Sequence, residues 1–299
     1  MIDETELTTS VIIFHHNDND GRLAAWLFSV YNSKLNPTFM EVDYRQQDKM
    51  PYCPEGYLVV IVDFSFNRTI MEHLAKRPEG LFWFDHHETL KEKFEGFHCS
   101  GTRDFTGQKS AAMLVFEFFN QSDPLRPFIR LVDDYDTWKL KDEDSKPFMY
   151  GSLNYNTSPD NEEGIFWCAC WRDPMYVRKI IKEGQAILSF CRQQGKEAIE
   201  NVGWIGELEG YMFYILNNPF RGSDWFRGVQ NYGVDGFARV VYDGAQWEVS
   251  LYSEIANVGD IAKKHGGGGH RNAAGFHCQD INQVFIKKPN FHLTVYPEI

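Results

Sequence analysis

The sequence has no excess of basic charge: 30 lysines and arginines face 42 aspartates and glutamates, giving a net charge of −12. Proteins that grip long duplex nucleic acid need a broad basic face, so that class is excluded. A small phosphorylated substrate held by metal ions and a few cations is not. Paired CxxC motifs are also missing. Cys53, Cys99, Cys168, Cys170, Cys191 and Cys278 are scattered, with Cys168 and Cys170 forming only a CxC. Free thiols in a reducing compartment are therefore expected rather than a structural zinc site. No apolar run approaches the roughly 18 residues needed to span a bilayer. No charged-then-apolar leader opens the chain, so a cytoplasmic protein without a membrane partner is expected. Internal repeats and low-complexity tracts are missing too. What is present is a composition that is 43% hydrophobic and 15% aromatic over 299 residues, enough for a substantial core and for two domains.

The first half alternates short β-rich runs with helix-like segments. The run "SVIIF" precedes "DGRLAAWLFSVYN", in which Leu23, Trp26, Leu27 and Val30 recur at helical spacing behind Asp20 as a cap. The run "YLVVIVDFS" precedes "NRTIMEHLAKR", capped by Asn67; "GLFWFDHH" precedes "ETLKEKF"; and "KSAAMLVFEFFN" reads as a further helix. Continuous apolar strands alternating with helices predict an α/β fold with a doubly wound, mainly parallel sheet. The polar segment "KDEDSKPFMYGSLNYNTSPDNEEG" reads as loop. A long helix then starts at Pro174 behind Asp173. After it come strands joined by turns, a smaller α+β domain. The expected domains are 1–170 carrying the metal site, a connecting helix over 171–202, and a substrate-binding domain over 203–299.

Each early β-run ends in metal-type ligands. "VIIF" runs into His15, His16, Asp18 and Asp20, "VVIV" into Asp63, and "LFWF" into Asp85, His86 and His87. In open α/β sheets ligands gather at the carboxyl ends of the strands, so distant segments would deliver these groups to one crevice. "VDDYDTW" adds Asp133, Asp134 and Asp136. Several aspartates with two or more histidines suit divalent ions such as Mn²⁺, and so many ligands suit two ions sharing a carboxylate. Such a pair can clamp the attacking and leaving oxygens of phosphoryl transfer. Taken singly, Asp20 could be no more than a cap and Asp63 a strand end; the conjunction is what points to metal. Gly21 would let the turn bend tightly into the helix.

The second signal is "KKHGGGGHRNAAGFHC". Consecutive glycines permit positive φ and close backbone approach, which suits cradling a phosphate on amide N–H groups. His270 and Arg271 follow at once and could pair with that phosphate.

The motifs "HNDNDG" (16–21), "VDFS" (62–65), "DHH" (85–87) and "DDYDTW" (133–138) resemble, in order, the four motifs of the DHH phosphoesterase superfamily. "GGGGHRNAAGF" (266–276) is similar to the signature of the DHH-associated C-terminal domain, and "YDTW" is most similar to the nano-RNase, oligoribonuclease-like branch. The resemblance implies two Mn²⁺ ions, with Mg²⁺ as the substitute, in a cleft between the domains. It implies Asp63 bridging them, Asp18 with His16 or His15 on one ion, and Asp20, His86 and Asp136 or Asp134 on the other. His16 and Asp136 are the favoured choices. It further implies His87 and Asp85 as catalytic groups, with His87 touching the scissile phosphate or supporting His86. Gly267, Gly268, Gly269, His270 and Arg271 would grip the substrate. Tyr252 stands where relatives often carry arginine, which would favour stacking on an aromatic ring.

The activity so implied is hydrolysis of short oligonucleotides to mononucleotides. Cyclic dinucleotides or a 3′-phosphorylated adenosine nucleotide are the alternative substrates, with pyrophosphate third and a non-catalytic nucleotide-binding module last. A homodimer is compatible with the sequence.

Overall fold

A computed structural model describes residues 9–119, 124–160, 165–219, 223–226 and 233–288. The chain divides into two compact units, Met1–Gln185 and Ala186–Ile299. The division falls inside the long helix expected as a connector, so that helix contributes residues to both units.

In the first unit the order is β1 (Ser10–His16), α1 (Asn19–Tyr31), β2 (Asn36–Val42), β3 (Leu58–Val62), α2 (Arg68–Ala75) and β4 (Leu81–Phe84). Five helices follow: α3 (Ala111–Phe119), α4 (Pro127–Asp136), α5 (Ser145–Ser152), α6 (Ile165–Arg172) and α7 (Pro174–Val202). The sheet order is β2-β1-β3-β4 with every pair parallel. From β1 the chain moves one way to β2 and then to β3 on the other side, so the topological switch lies between β1 and β3. Alternate side chains serve opposite faces. Val11, Ile13, Val60 and Val62 pack with α1, α3 and α4, whereas Ile12, Phe14, Val59 and Ile61 pack with α2. Buried strands of this kind read as unbroken apolar runs, which is why β1, β3 and β4 were visible in the sequence.

Three local expectations differ from the structure. The first helix is capped by Asp18, whose Oδ1 accepts the Gly21 N–H at 3.0 Å, and not by Asp20. "ETLKEKF" supplies one 3₁₀ turn, Glu88–Leu90. The segment read as loop contains α5, whose Gly151 packs directly on the backbone of Ile180 in α7. Glycine there permits the close crossing and also disguised the helix. The strand β2 was not anticipated. Pro37 and its alternating exposure suit the sheet edge.

In the second unit, β5 (Trp204–Leu208), β6 (Tyr211–Asn217), β7 (Gly236–Tyr242), β8 (Trp247–Tyr252), α8 (Val258–Lys264), β9 (Gly268–Gly269), β10 (Ala273–Cys278), α9 (Ile281–Val284) and β11 (Ile286–Lys287) follow in order. They form a seven-stranded sheet, β11-β5-β6-β7-β8-β10-β9, antiparallel except for β6 and β7. The core of Phe213, Ile215, Val249, Leu251 and Phe276 is closed by Ile261 and Ala262 of α8. The α+β reading of this half holds. Among the described residues no helix is long and apolar enough to cross a membrane.

Candidate metal centre

Strand parity decides which groups meet at the switch. His16 follows Ile12 and Phe14 on the α2 face, and Asp63 follows Val59 and Ile61 on that same face. His15 has the parity of Val11 and Ile13. It is buried, its Nδ1 lies 2.9 Å from the His16 carbonyl, and it is not among the clustered ligand atoms. Gly21 is required at the turn because a Cβ there would lie 2.6 Å from the His16 carbonyl oxygen. That close approach brings Asp18 back over the end of β1, where its Oδ2 lies 2.6 Å from His16 Nδ1.

Two triples result. The ligand atoms of His16, Asp18 and Asp63 lie within 4.8 Å of one another, as do those of Asp20, His86 and Asp136. Asp63 faces both: its Oδ2 is 3.5 Å from His16 Nδ1 and its Oδ1 is 3.2 Å from His86 Nε2. It adopts a left-handed backbone, φ 55°, that L-residues other than Asn and Asp rarely enter. Strain of this kind, on the order of 1 kcal/mol, is found where geometry at a functional site requires it. His86 Nε2 lies 3.1 Å from Asp136 Oδ2 and 3.7 Å from Asp20 Oδ2. Asp20 is fixed from behind, because its two oxygens accept the N–H groups of Ala111 and Ala112 at 2.7 and 2.9 Å. The start of α3 thus orients it.

Asp134 lies elsewhere. Its oxygens accept the N–H groups of Lys141 and Asp142 and the Ser145 hydroxyl, which ties the end of α4 to α5. Asp133 accepts the Ser110 N–H and pairs with Lys139. Helical spacing explains the contrast with Asp134: with 3.6 residues per turn, Asp136 lies about 200° round α4 from it.

Asp85 is fully buried and serves His87. Its Oδ1 lies 2.8 Å from His87 Nδ1 and accepts the His87 N–H, while Oδ2 accepts Trp83 Nε1–H at 3.2 Å. Burial alone would raise the Asp85 carboxyl, but the His87 imidazole and these donors hold it below its usual range. Sequence reasoning missed Tyr44, whose hydroxyl lies 2.9 Å from His87 Nε2. The Asp43–Gln46 pairing is the D-x-x-Q form of a capping box, and that signal marks a chain turn at the end of β2.

The electrostatics call for positive charge. Burial lifts the Asp63 and Asp20 carboxyls, and neighbouring carboxylates lift them further. Burial depresses His16, yet Asp18 and Asp63 outweigh it and push the imidazole up to about 11. His86 is likewise raised by Asp136 and Asp63 against the opposing effect of burial. Both Asp63 oxygens are buried and accept no backbone N–H. A buried carboxylate so placed is costly unless a cation pairs it. The donor set, carboxylates with two imidazoles, fits divalent cations.

In the second unit the glycine run has mixed reasons. Gly266 and Gly269 have positive φ, and a Cβ on Gly267 or Gly269 would strike β10. A Cβ on Gly268 would meet nothing, and β9 is the last strand of its sheet. His270 donates its N–H to the Ala273 carbonyl, and Arg271 is exposed. Tyr252, at the end of β8, is half-buried with its ring 6.5 Å from that of Phe226.

No family model matches the chain. An uncharacterized protein of Acanthamoeba polyphaga mimivirus is 21% identical over 286 residues, covering 89% of this chain and 66% of its own length. The chain thus spans just under two thirds of that relative. Among solved structures, the DHH domain of a member of a family of ribosomal proteins aligns with TM-score 0.52 and 16% identity, covering 90% of this chain and 82% of that one. A pGpG-specific phosphodiesterase from Vibrio cholerae gives TM-score 0.49 at 14% identity over 91% and 95% of the two chains. RecJ from Thermus thermophilus in complex with Mn²⁺ gives 0.48 at 13% over 93% and 50%.

Proposed function

The chain carries the fold of the DHH domain, and from that premise we propose that it is a divalent-metal-dependent phosphoesterase that hydrolyses short oligonucleotides to mononucleotides. The observation that supports this most is Asp63, a strained and buried carboxylate set between two ligand triples. On this reading His16, Asp18 and Asp63 would hold one cation, and Asp63, Asp20, His86 and Asp136 a second. When bound, such a pair supplies Lewis acidity to the phosphoryl oxygens and lowers the pKa of attacking water.

The chain's own residues do the rest. Asp18 turns His16 by its carboxylate, and the amides of Ala111 and Ala112 keep Asp20 aimed at His86. Asp85 fixes the Nδ1 side of His87. His87, whose ring lies 4.8 Å from that of His86, would then support that ligand or contact the phosphate. In the second unit the open Gly268 edge, with His270 and Arg271, would hold a terminal phosphate or nucleotide. The acidic net charge of −12 suits short substrates better than long ones. Mn²⁺ is the preferred ion because it accepts mixed oxygen and nitrogen ligands.

The test is a substrate panel with Mn²⁺: 5′-labelled RNAs of two to five nucleotides, a longer oligomer, a cyclic dinucleotide and pyrophosphate. Mononucleotides from the short RNAs, with slower release from the longer one, are expected. Turnover of the cyclic dinucleotide or pyrophosphate alone would overturn the substrate assignment. No turnover of any member would overturn the enzymatic reading.

A further inference from the structure

Tyr44 has no role among the ligands, yet the structure builds carefully around it. It opens a 3₁₀ turn, Tyr44–Gln46, directly after β2, at the same sheet edge where β1, β3 and β4 end. The turn is pinned: Asp43 Oδ1 accepts the Arg45 N–H, Gln46 Oε1 accepts the Asp43 N–H, and the Gln47 carbonyl accepts the Asn67 N–H. Gln47 Nε2 also donates to the Ser65 carbonyl at 3.2 Å. The Tyr44 ring packs beside Phe64, His16 and His87, with centroids 5.7, 5.3 and 6.0 Å away. The residue nevertheless stays 47% exposed, so core packing does not account for it.

The hydroxyl supplies the missing reason. Asp85 is an acceptor on both oxygens, which places the proton of His87 on Nδ1. The opposite nitrogen, Nε2, is 2.9 Å from the Tyr44 hydroxyl, and in the neutral imidazole with its proton on Nδ1 it accepts a hydrogen bond from that hydroxyl. An imidazole bonded at both nitrogens can neither flip nor change tautomer without breaking a hydrogen bond. We propose that Tyr44 is a positioning residue of the hydrolytic site, its hydroxyl opposing Asp85 to fix the ring plane and tautomer of His87. The inference rests on the phosphoesterase reading. It adds to that reading a dependence on one hydroxyl from the edge strand's turn.

Tyr44→Phe keeps the ring against Phe64 and removes only the hydroxyl. Full-length wild type, Tyr44→Phe, His87→Asn and the double variant are assayed with Mn²⁺ on a short RNA. The expected result for Tyr44→Phe is a kcat lower by about tenfold, as for loss of one oriented hydrogen bond, with KM within about twofold and Tm unchanged. The double variant should be no slower than His87→Asn, since a residue acting through His87 has nothing left to act on. Nitrogen NMR of ¹⁵N-histidine protein gives a readout free of turnover: the His87 Nε2 resonance, assigned with His87→Asn, should move in Tyr44→Phe. Unchanged kcat in Tyr44→Phe, multiplying losses in the double variant, or an unmoved Nε2 resonance would each overturn the positioning role while leaving the phosphoesterase reading intact. A wild type without turnover on any phosphodiester would overturn both.

Discussion

Replacing Asp63 by Asn separates charge from shape at the centre of the site. Asn is isosteric and tolerates the left-handed backbone found at φ 55°, whereas Ala there would add strain of about 1–2 kcal/mol. In the absence of metal the change removes one of the grouped carboxylates of Asp18, Asp20, Asp63 and Asp136. Apo stability should therefore stay within about 1–2 kcal/mol of wild type. With metal the two proteins should part. A cation at a hundred times its Kd stabilises the folded state by about 2.7 kcal/mol. For a unit the size of Met1–Gln185, each kcal/mol moves Tm by roughly 2–4 °C. Wild type should thus gain roughly 5–11 °C from Mn²⁺ in circular-dichroism melting, measured against a chelator baseline. Asp63→Asn weakens both triples at once and should gain less than about 2 °C. A full Mn²⁺ shift in the variant would show that Asp63 is no ligand. An absent shift in wild type would show that the cluster does not bind cations at all.

Asp134→Ala should cost about 2–4 kcal/mol in denaturant unfolding, because the Lys141 and Asp142 amides and the Ser145 hydroxyl lose their acceptor. The Mn²⁺-induced Tm shift should survive that change, and its loss would move Asp134 into the metal site. Gly184→Ala should destabilise by more than about 2 kcal/mol, since a Cβ there would press on the Pro147 carbonyl of α5. A wild-type melting curve would contradict the close helix crossing. Cys170 is buried, and burial pushes its thiol well above its ordinary value. It should resist iodoacetamide in the native protein and react only after unfolding; labelling as fast as that of half-buried Cys53 would refute this.

Of the candidate ligands, His16, Asp18, Asp20, Asp63 and His86 stood out because they follow closely on apolar runs long enough to be buried strands, where carboxylates or imidazoles are costly unless paired. Asp136, at the end of α4, stood out through the acidic run 133–136. β2 was hidden because an edge strand is half exposed, so its sequence lacks the continuous apolar signal, and Pro37 weakens it further. α5 was hidden because Pro147, Gly151 and Ser152 are poor helix formers; here Pro147 and Gly151 serve close packing on α7, and the Ser152 hydroxyl accepts from Asn19 of α1. Tyr44 was missed together with β2, since its placement depends on where that strand ends.

By itself the sequence determined the alternation of buried strands and helices, the parallel sheet, and the supply of carboxylates and imidazoles at strand ends. These follow from hydrophobic period and residue chemistry, which are local properties. Only the tertiary structure decided which of those groups meet. Strand parity set His16 beside Asp63 and turned His15 away, helical phase separated Asp136 from Asp134, and the amides of α3 aimed Asp20. Those are relations among elements distant in the chain, fixed when the sheet order and register form, and no short window of residues encodes them.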